Sequence, residues 1–173
     1  MHSERLHSAS ASEDVLTLRA IRPEDQEVLL QIFASTRDEE RHLLDLSSQA
    51  WETFVRQQFD FQHAQYMSAY ANPSFDLVLR EGEVAGRLYV DRGADEIRVV
   101  DIALLPEHRR QGLGRQMLAA LIQESNDRGI PLGLHVEKHN PVIDFYSRLG
   151  FSPLADRGVY VYMRRPCAAA NSI

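Results

Sequence analysis

Apolar and polar residues alternate from Val15 to Ile21, which predicts a strand. Pro23-Glu24-Asp25 then supplies a helix start, with proline in the first turn and carboxylates at the positive helix end. This helix is expected to run to about Arg37. Ser47 or Ser48 can cap a longer one in which Trp51, Phe54, Val55, Gln58, Phe59, Gln62 and Tyr66 recur at three and four residues, ending near Tyr70 before Asn72-Pro73. Phe75–Arg80, Glu83–Asp91 and Glu96–Leu105 are β-rich runs separated by Glu81-Gly82 and Gly93-Ala94 turns, and they predict an antiparallel meander.

After Pro106 the period becomes helical. Leu113, Met117, Leu118, Leu121 and Ile122 share one face, and Gly129 is placed to close the helix in a left-handed cap. Leu132–Glu137 predicts a strand. Asn140-Pro141 opens another helix as cap and first residue, with Val142, Phe145, Tyr146 and Leu149 facing inward and Gly150-Phe151 ending it. A last hairpin, about Phe151–Leu154 and Val159–Arg164, is expected to turn at Asp156-Arg157-Gly158. The order β-α-α-β-β-β-α-β-α-β-β, without internal repeat or linker, gives a single α/β (α+β) domain at 15–165, with disordered ends at 1–14 and 166–173.

Composition narrows the classes of function. A chain of 173 residues with 44% hydrophobic content can bury a core without disulfides or a structural metal. The net charge of −6 argues against a nucleic-acid partner, whose affinity comes from clustered Lys and Arg. No apolar stretch approaches the roughly 18 residues of a spanning helix, and the opening MHSERLHSASASED has no apolar signal core, so a cytoplasmic location away from membranes is expected. The single thiol, Cys167, fits a reducing compartment. His135 and His139 straddle a strand end without a Cys partner, and no metal site is expected.

The stretch Ile97–Arg115 carries the chemistry. A buried-looking strand runs through Ile102-Ala103-Leu104-Leu105 into Pro106, and Gly112 and Gly114 fall at the first turn of a long helix. Unpaired N–H groups there carry about half a positive charge, and glycines let an anion reach the backbone. Arg109, Arg110 and Arg115 add charge. Neither the Gly-x4-Gly-Lys-Ser/Thr phosphate loop nor the third glycine of the dinucleotide fingerprint is present, which disfavours a nucleotide triphosphatase and a Rossmann dehydrogenase.

Arg109-x-x-Gly112-x-Gly114 after that strand resembles the acyl-CoA-binding motif of the GNAT superfamily of N-acetyltransferases. Leu134-x-Val136-x-x-x-Asn140-x-x-x-x-x-Tyr146-x-x-x-Gly150-Phe151 is similar to that family's following strand and helix, in the same order and spacing. The resemblance covers about residues 15–165. It implies a mixed, mostly antiparallel sheet flanked by helices and splayed between its fourth and fifth strands, with pantetheine in the gap. It further implies that Ile102 and Leu104 offer backbone groups to the pantetheine. Arg109, Arg110, Gln111, Gly112, Leu113, Gly114 and Arg115 would surround the pyrophosphate, Asn140 would fix the cofactor arm, and Tyr146 would protonate the leaving thiolate. The implied activity is direct acetyl transfer from acetyl-CoA to a primary amine, of a small molecule or a peptide. A non-catalytic acyl-CoA sensor or docking module is the alternative. A homodimer stays open, and an acidic chain favours a cationic acceptor through steering.

Such a transfer needs N–H donors for a developing oxyanion, a base for an amine that is mostly protonated at neutral pH, and a donor for the thiolate. For the base, Asp101 acting through water is favoured, with Glu137, Glu96 and His135 behind it. Arg98, where several subfamilies place Glu or His, cannot serve. Each assignment has a structural alternative. Asn140 suits a helix cap, Tyr146 an apolar helix face with its hydroxyl at the rim, and Asp101 an inward ion pair with Arg98 or Arg87. His63, Tyr66, Tyr70 and the acidic run Asp38-Glu39-Glu40 are candidates for the acceptor wall, although such a run is by default a solvated face.

Overall fold

A computed structural model describes residues 15–168. The proposed N-terminal extension 1–14 lies outside the described residues, as do 169–173 of the proposed tail. The strands are β1 (Leu16–Ala20), β2 (Pro73–Arg80), β3 (Glu83–Arg92), β4 (Ile97–Leu104), β5 (Leu132–Glu137), β6 (Ser152–Arg157) and β7 (Tyr160–Arg165). The helices are α1 (Gln26–Ser35), α2 (Asp38–Leu43), α3 (Ser48–Ala69), α4 (Leu113–Arg128) and α5 (Val142–Arg148), with 3-10 turns at Pro23–Asp25 and Pro106–His108. The sheet has the order β1-β2-β3-β4-β5-β7-β6, with every pairing antiparallel except the parallel β4–β5.

The two faces of this sheet bury different helices. Val90, Ile97, Val99, Leu132, Leu134 and Met163 pack with Met117, Leu118 and Leu121 of α4 and Tyr146 of α5. On the other face Leu77, Tyr89 and Ala103 meet Leu29, Ile32 and Phe33 of α1 and Trp51, Val55 and Phe59 of α3. Fully burying such side chains is worth about 1.5–3 kcal/mol each, so the two apolar layers fix where the helices lie. None of the helices among the described residues is long and apolar enough to cross a membrane.

The meander is set by its turns. Glu81 and Gly82 both adopt left-handed backbone, at φ 52 and 84, the geometry that matches the twist of paired strands. Gly86 is required by close approach, because a Cβ there would lie 2.1 Å from the carbonyl oxygen of Ala103 on β4. Gly129 closes α4 at φ 65, as its position predicts.

Three elements differ from expectation. The first helix breaks into a 3-10 turn and α1, and a separate helix that was not expected, α2, follows it; its acidic run is a solvated face as expected, with no residue of α2 buried. With no apolar period to reveal it, α2 is held by Asp38, Glu39 and Glu40 in its first turn, Arg41 and His42 in its last, and an Arg37–Glu40 ion pair at 2.6 Å. Strand β6 runs on to Arg157, so the last hairpin turns at Gly158 and Val159 instead of beginning its turn at Asp156. The Asp156 carboxylate accepts from the Gly158 N–H at 2.9 Å. In the tail, the Ala168 N–H donates to Oδ1 of Asn126 at 2.8 Å.

Candidate active site

Strands β4 and β5 pair only at Ile97–Leu132, Arg98–Gly133 and Val99–Leu134. Beyond those residues they separate, and the gap opens into a cavity of about 630 Å³. Asp101, Ile102, Asn140 and Tyr146 line it. Leu104 and the run Arg109–Arg115 lie outside its lining, so the turn before α4 forms a separate part of the site.

Backbone alternation determines what β4 offers to the gap. The Leu105 N–H bonds the Ala85 carbonyl on β3 at 2.9 Å, while Leu104 and Ile102 stand opposite Gly86 and Leu88. In an antiparallel ladder bonded and non-bonded pairs alternate, so Leu104 and Ile102 turn their N–H and C=O groups away from β3, toward β5. The Leu104 carbonyl is already taken by Nε of Arg109, at 2.8 Å. Arg109 also donates to the carbonyl and hydroxyl of Ser35, at 3.1 and 3.0 Å. This arginine of the glycine motif thus clasps the end of α1 to the end of β4.

The turn itself is open backbone. Gly112 takes φ 81 as the N-cap of α4, and a Cβ added at either Gly112 or Gly114 would meet no atom within 4 Å. The space beside both glycines is therefore open, with the exposed Arg110 and Arg115 next to it. Arg110 has φ 58. The Gln111 side chain is tied down, accepting from Arg80 and donating to the Glu107 carbonyl at 2.6 Å. Leu113 is buried in the core.

Asp101 owes its orientation to a bulge. Tyr89 pairs with Asp101 and Val90 with Val99, leaving Val100 as an extra residue on β4. Without it Asp101 would share the face of Val99, under α4 and α5; with it, Asp101 turns toward α3. There Arg87, only 2% exposed, grips it with two bonds: Nε to Oδ1 at 3.1 Å and Nη2 to Oδ2 at 3.0 Å. Nη2 also donates to Oε1 of Gln62 at 2.9 Å, and the Tyr66 hydroxyl donates to Oδ2 of Asp101 at 3.3 Å. Of the two partners foreseen for Asp101, Arg87 is the one it takes; Arg98 bonds Glu96 at 3.1 Å. Gln62 was expected only as part of a helical stripe. The signal for its role was an arginine in the middle of the apolar strand β3, which needs acceptors to be buried.

Tyr146 is 7% exposed, and burial, reinforced by the charge of Asp101, pushes its hydroxyl up to about 12. It is a neutral donor at any working pH. The exposed Asn140 spends its Oδ1 on the Val142 N–H at 3.0 Å, the capping bond expected of it. Glu96 is occupied by Arg98 and the Tyr162 hydroxyl and lies off the cavity, whereas Glu137 and His135 line it. Burial, then Arg98, holds His135 below its ordinary value. Of the suggested acceptor wall, Tyr66, Glu39 and Glu40 line the cavity, and Asp38, His63 and Tyr70 do not. Among the described residues no cluster of His, Cys, Asp and Glu could hold a metal ion.

A family model described as "Acetyltransferase (GNAT) family" matches residues 40–151. The [ribosomal protein bS18]-alanine N-acetyltransferases of Escherichia coli (strain K12) and Shigella flexneri are each 36% identical over 83 residues, 47% of this chain and 56% of theirs. The match thus spans about half the length of these curated relatives. Among solved structures, the PaiA N-acetyltransferase from Thermoplasma acidophilum in complex with coenzyme A aligns with TM-score 0.65 at 19% identity, covering 88% of this chain and 99% of that one. The ribosomal-protein-S18-alanine N-acetyltransferase from Escherichia coli aligns with TM-score 0.61 at 23% identity, covering 92% and 99%. At these identities the likeness is one of fold.

Proposed function

Because the chain belongs to the GNAT acetyltransferase family, we propose that it transfers an acetyl group from acetyl-CoA directly to a primary amine. The observation that carries this reading is the opening of β4 from β5 after Val99 and Leu134, with a carboxylate and a tyrosine lining the resulting cavity. The open amides at Gly112, Leu113, Gly114 and Arg115 suit a pyrophosphate, and the outward N–H groups of Ile102 and Leu104 suit an acyl-pantetheine arm. Acetyl-CoA supplies the activated acyl carbon.

The chain's own residues do the rest. A carboxylate has about four acceptor sites, and Asp101 uses three of them: one on Oδ1 for Arg87, two on Oδ2 for Arg87 and Tyr66. The remaining site on Oδ1 can take the amine's proton through a water molecule. As the new C–N bond forms and the C–S bond breaks, Tyr146 gives its proton to the departing sulfur. The proton taken up at Asp101 returns the site to its starting state by way of solvent.

The acceptor is an amine that tolerates an acidic surround. Arg37 is paired with Glu40 and Arg87 with Asp101, which leaves Glu39 and Glu137 without a bonded cation among the described residues lining the cavity. A cationic acceptor suits that balance, and the relatives named for acetylating a protein alanine make a peptide N-terminus one candidate beside small diamines. Thiol release from acetyl-CoA, measured against a panel of an alanine-initiated peptide, lysine and a linear diamine, tests the reading. Release that depends on one of these amines supports it, and none above the amine-free rate with any of them contradicts it.

A further inference from the structure

We propose that Arg87 is a positioning residue for the proton-accepting step, holding Asp101 so that a single lone pair of Oδ1 faces the cavity. This inference rests on the acetyl-transfer reading. Its ground is geometric: Arg87 is buried, Nε and Nη2 hold both carboxylate oxygens at 3.1 and 3.0 Å, and Nη2 is itself anchored by Gln62 at 2.9 Å. Gln62 and Tyr66 stand one helical turn apart on α3, so the same helix face bonds the arginine and the aspartate. Arg87 also lies over the Tyr89 ring, 5.1 Å from its centre, which fixes the plane of the guanidinium.

This arrangement does what a lone aspartate on a strand could not. A free carboxylate turns about its terminal torsion, and water can approach either oxygen. The fork removes that freedom, as a positioned base requires. It also sets a permanent cation 3.0 Å from Oδ2, so the two buried charges are matched.

The other groups facing this pair are few. Tyr89 on β3, Tyr66 on α3, Tyr70 just past its end and Tyr146 on α5 are all raised by burial and stay neutral. His63 on α3 is held low, first by burial and then by Arg87. Across the cavity stand Glu39 and Glu40 of α2 with Arg37, and His135, Glu137 and His139 at the end of β5. Of these, His63 is the group whose own titration would follow the removal of Arg87, since it would lose a repelling cation.

The test separates kcat from the KM of each substrate for the full chain, by thiol release with the acceptor found active in the panel. In Arg87→Gln kcat should fall by about tenfold or more while the KM for acetyl-CoA stays within about twofold, because a base that is no longer held does not meet the amine's proton. A His63→Gln background should leave that loss intact. Arg87→Lys, which restores charge without the fork, should recover only part of kcat. In an Asp101→Asn background, Arg87→Gln should change kcat by less than about twofold, as expected when one residue acts through the other.

A kcat within about twofold of wild type in Arg87→Gln overturns the proposal, as does an equal loss of kcat with and without Asp101. If Arg87→Gln is not stabilised by coenzyme A in a thermal-shift measurement and so has not folded, Tyr66→Phe replaces it. That variant keeps the ring packed edge-on against Tyr89, 5.9 Å between centres, and should lower kcat the same way by less, with the KM for acetyl-CoA unchanged; an unchanged kcat there overturns the proposal. Wild-type protein that releases no thiol with any amine instead overturns the transfer reading itself.

Discussion

Strand β4 meets two kinds of construction. Beyond its end, at Gly112–Arg115, the protein offers backbone: amides at the start of a helix, two glycines with empty space where a side chain would stand, and arginines at the surface. Within the strand, at Asp101, it offers side chains: a carboxylate gripped by Arg87, with Gln62 and Tyr66 closing from α3. A backbone site depends on local conformation, so it tolerates most side-chain changes but not the loss of its glycines. A side-chain site depends on a bulge, two neighbouring strands and a helix, and fails if any one of them shifts.

The sharpest way to separate the two is Asp101→Asn. It removes the proposed base and should lower kcat by about a thousandfold, within the range expected of a general base, while leaving acetyl-CoA binding by titration unchanged. It also leaves Arg87 buried without its anion, so stability should fall as well, by about 3–5 kcal/mol, read from denaturant unfolding. Gly112→Glu attacks the other construction. A carboxylate at φ 81 is strained and repels a pyrophosphate, and the KM for acetyl-CoA should rise by about a hundredfold, with the amine KM unaffected.

The difference between the constructions also explains what could be read from the sequence. Gly112 and Gly114 follow a strand and precede an apolar helical stripe within a few residues, so the donor turn is written locally. The succession of elements and the β2–β4 meander are legible in the same way through Gly82, Gly129 and the spacing of apolar runs. The base site is not local. Asp101 and Arg87 are 14 residues apart on adjacent strands, and simple alternation would have put Asp101 on the opposite face. Only the extra residue at Val100 reverses that, and nothing in Val99-Val100-Asp101 announces it. The clasp made by Arg109 is equally non-local: charge beside a glycine turn suggests a phosphate ligand, and only the folded chain shows that Nε and Nη2 also reach Leu104 and Ser35. Helix α2 lacks an apolar period, so its existence depends on end charges and on Arg37.

A smaller effect probes how the start of α1 is anchored. Asp25 accepts from Arg19 at 2.8 and 2.9 Å and from the Arg22 N–H at 2.7 Å, and chiefly the Arg19 bond holds its carboxyl below the usual range. A carboxyl depressed in the folded state stabilises it above the unfolded value of about 3.9 and loses that contribution as pH falls through the folded value. Asp25→Asn should therefore cost about 1–2 kcal/mol at pH 7, and the gap from wild type should close below about pH 4 in thermal unfolding. The smallest effect is expected from Arg110→Ala. If the donor turn works through backbone, removing this exposed side chain should raise the KM for acetyl-CoA by less than about fivefold, as befits about 1 kcal/mol or less.

The division of labour itself is tested most directly by initial rates with acetyl-CoA and amine varied together, in wild type, Gly112→Glu and Asp101→Asn. The account predicts amine-dependent thiol release by wild type, a raised acetyl-CoA KM confined to Gly112→Glu, and a lowered kcat confined to Asp101→Asn. The contrary result would be an Asp101→Asn enzyme with wild-type kcat, or a Gly112→Glu enzyme that binds acetyl-CoA as tightly as wild type.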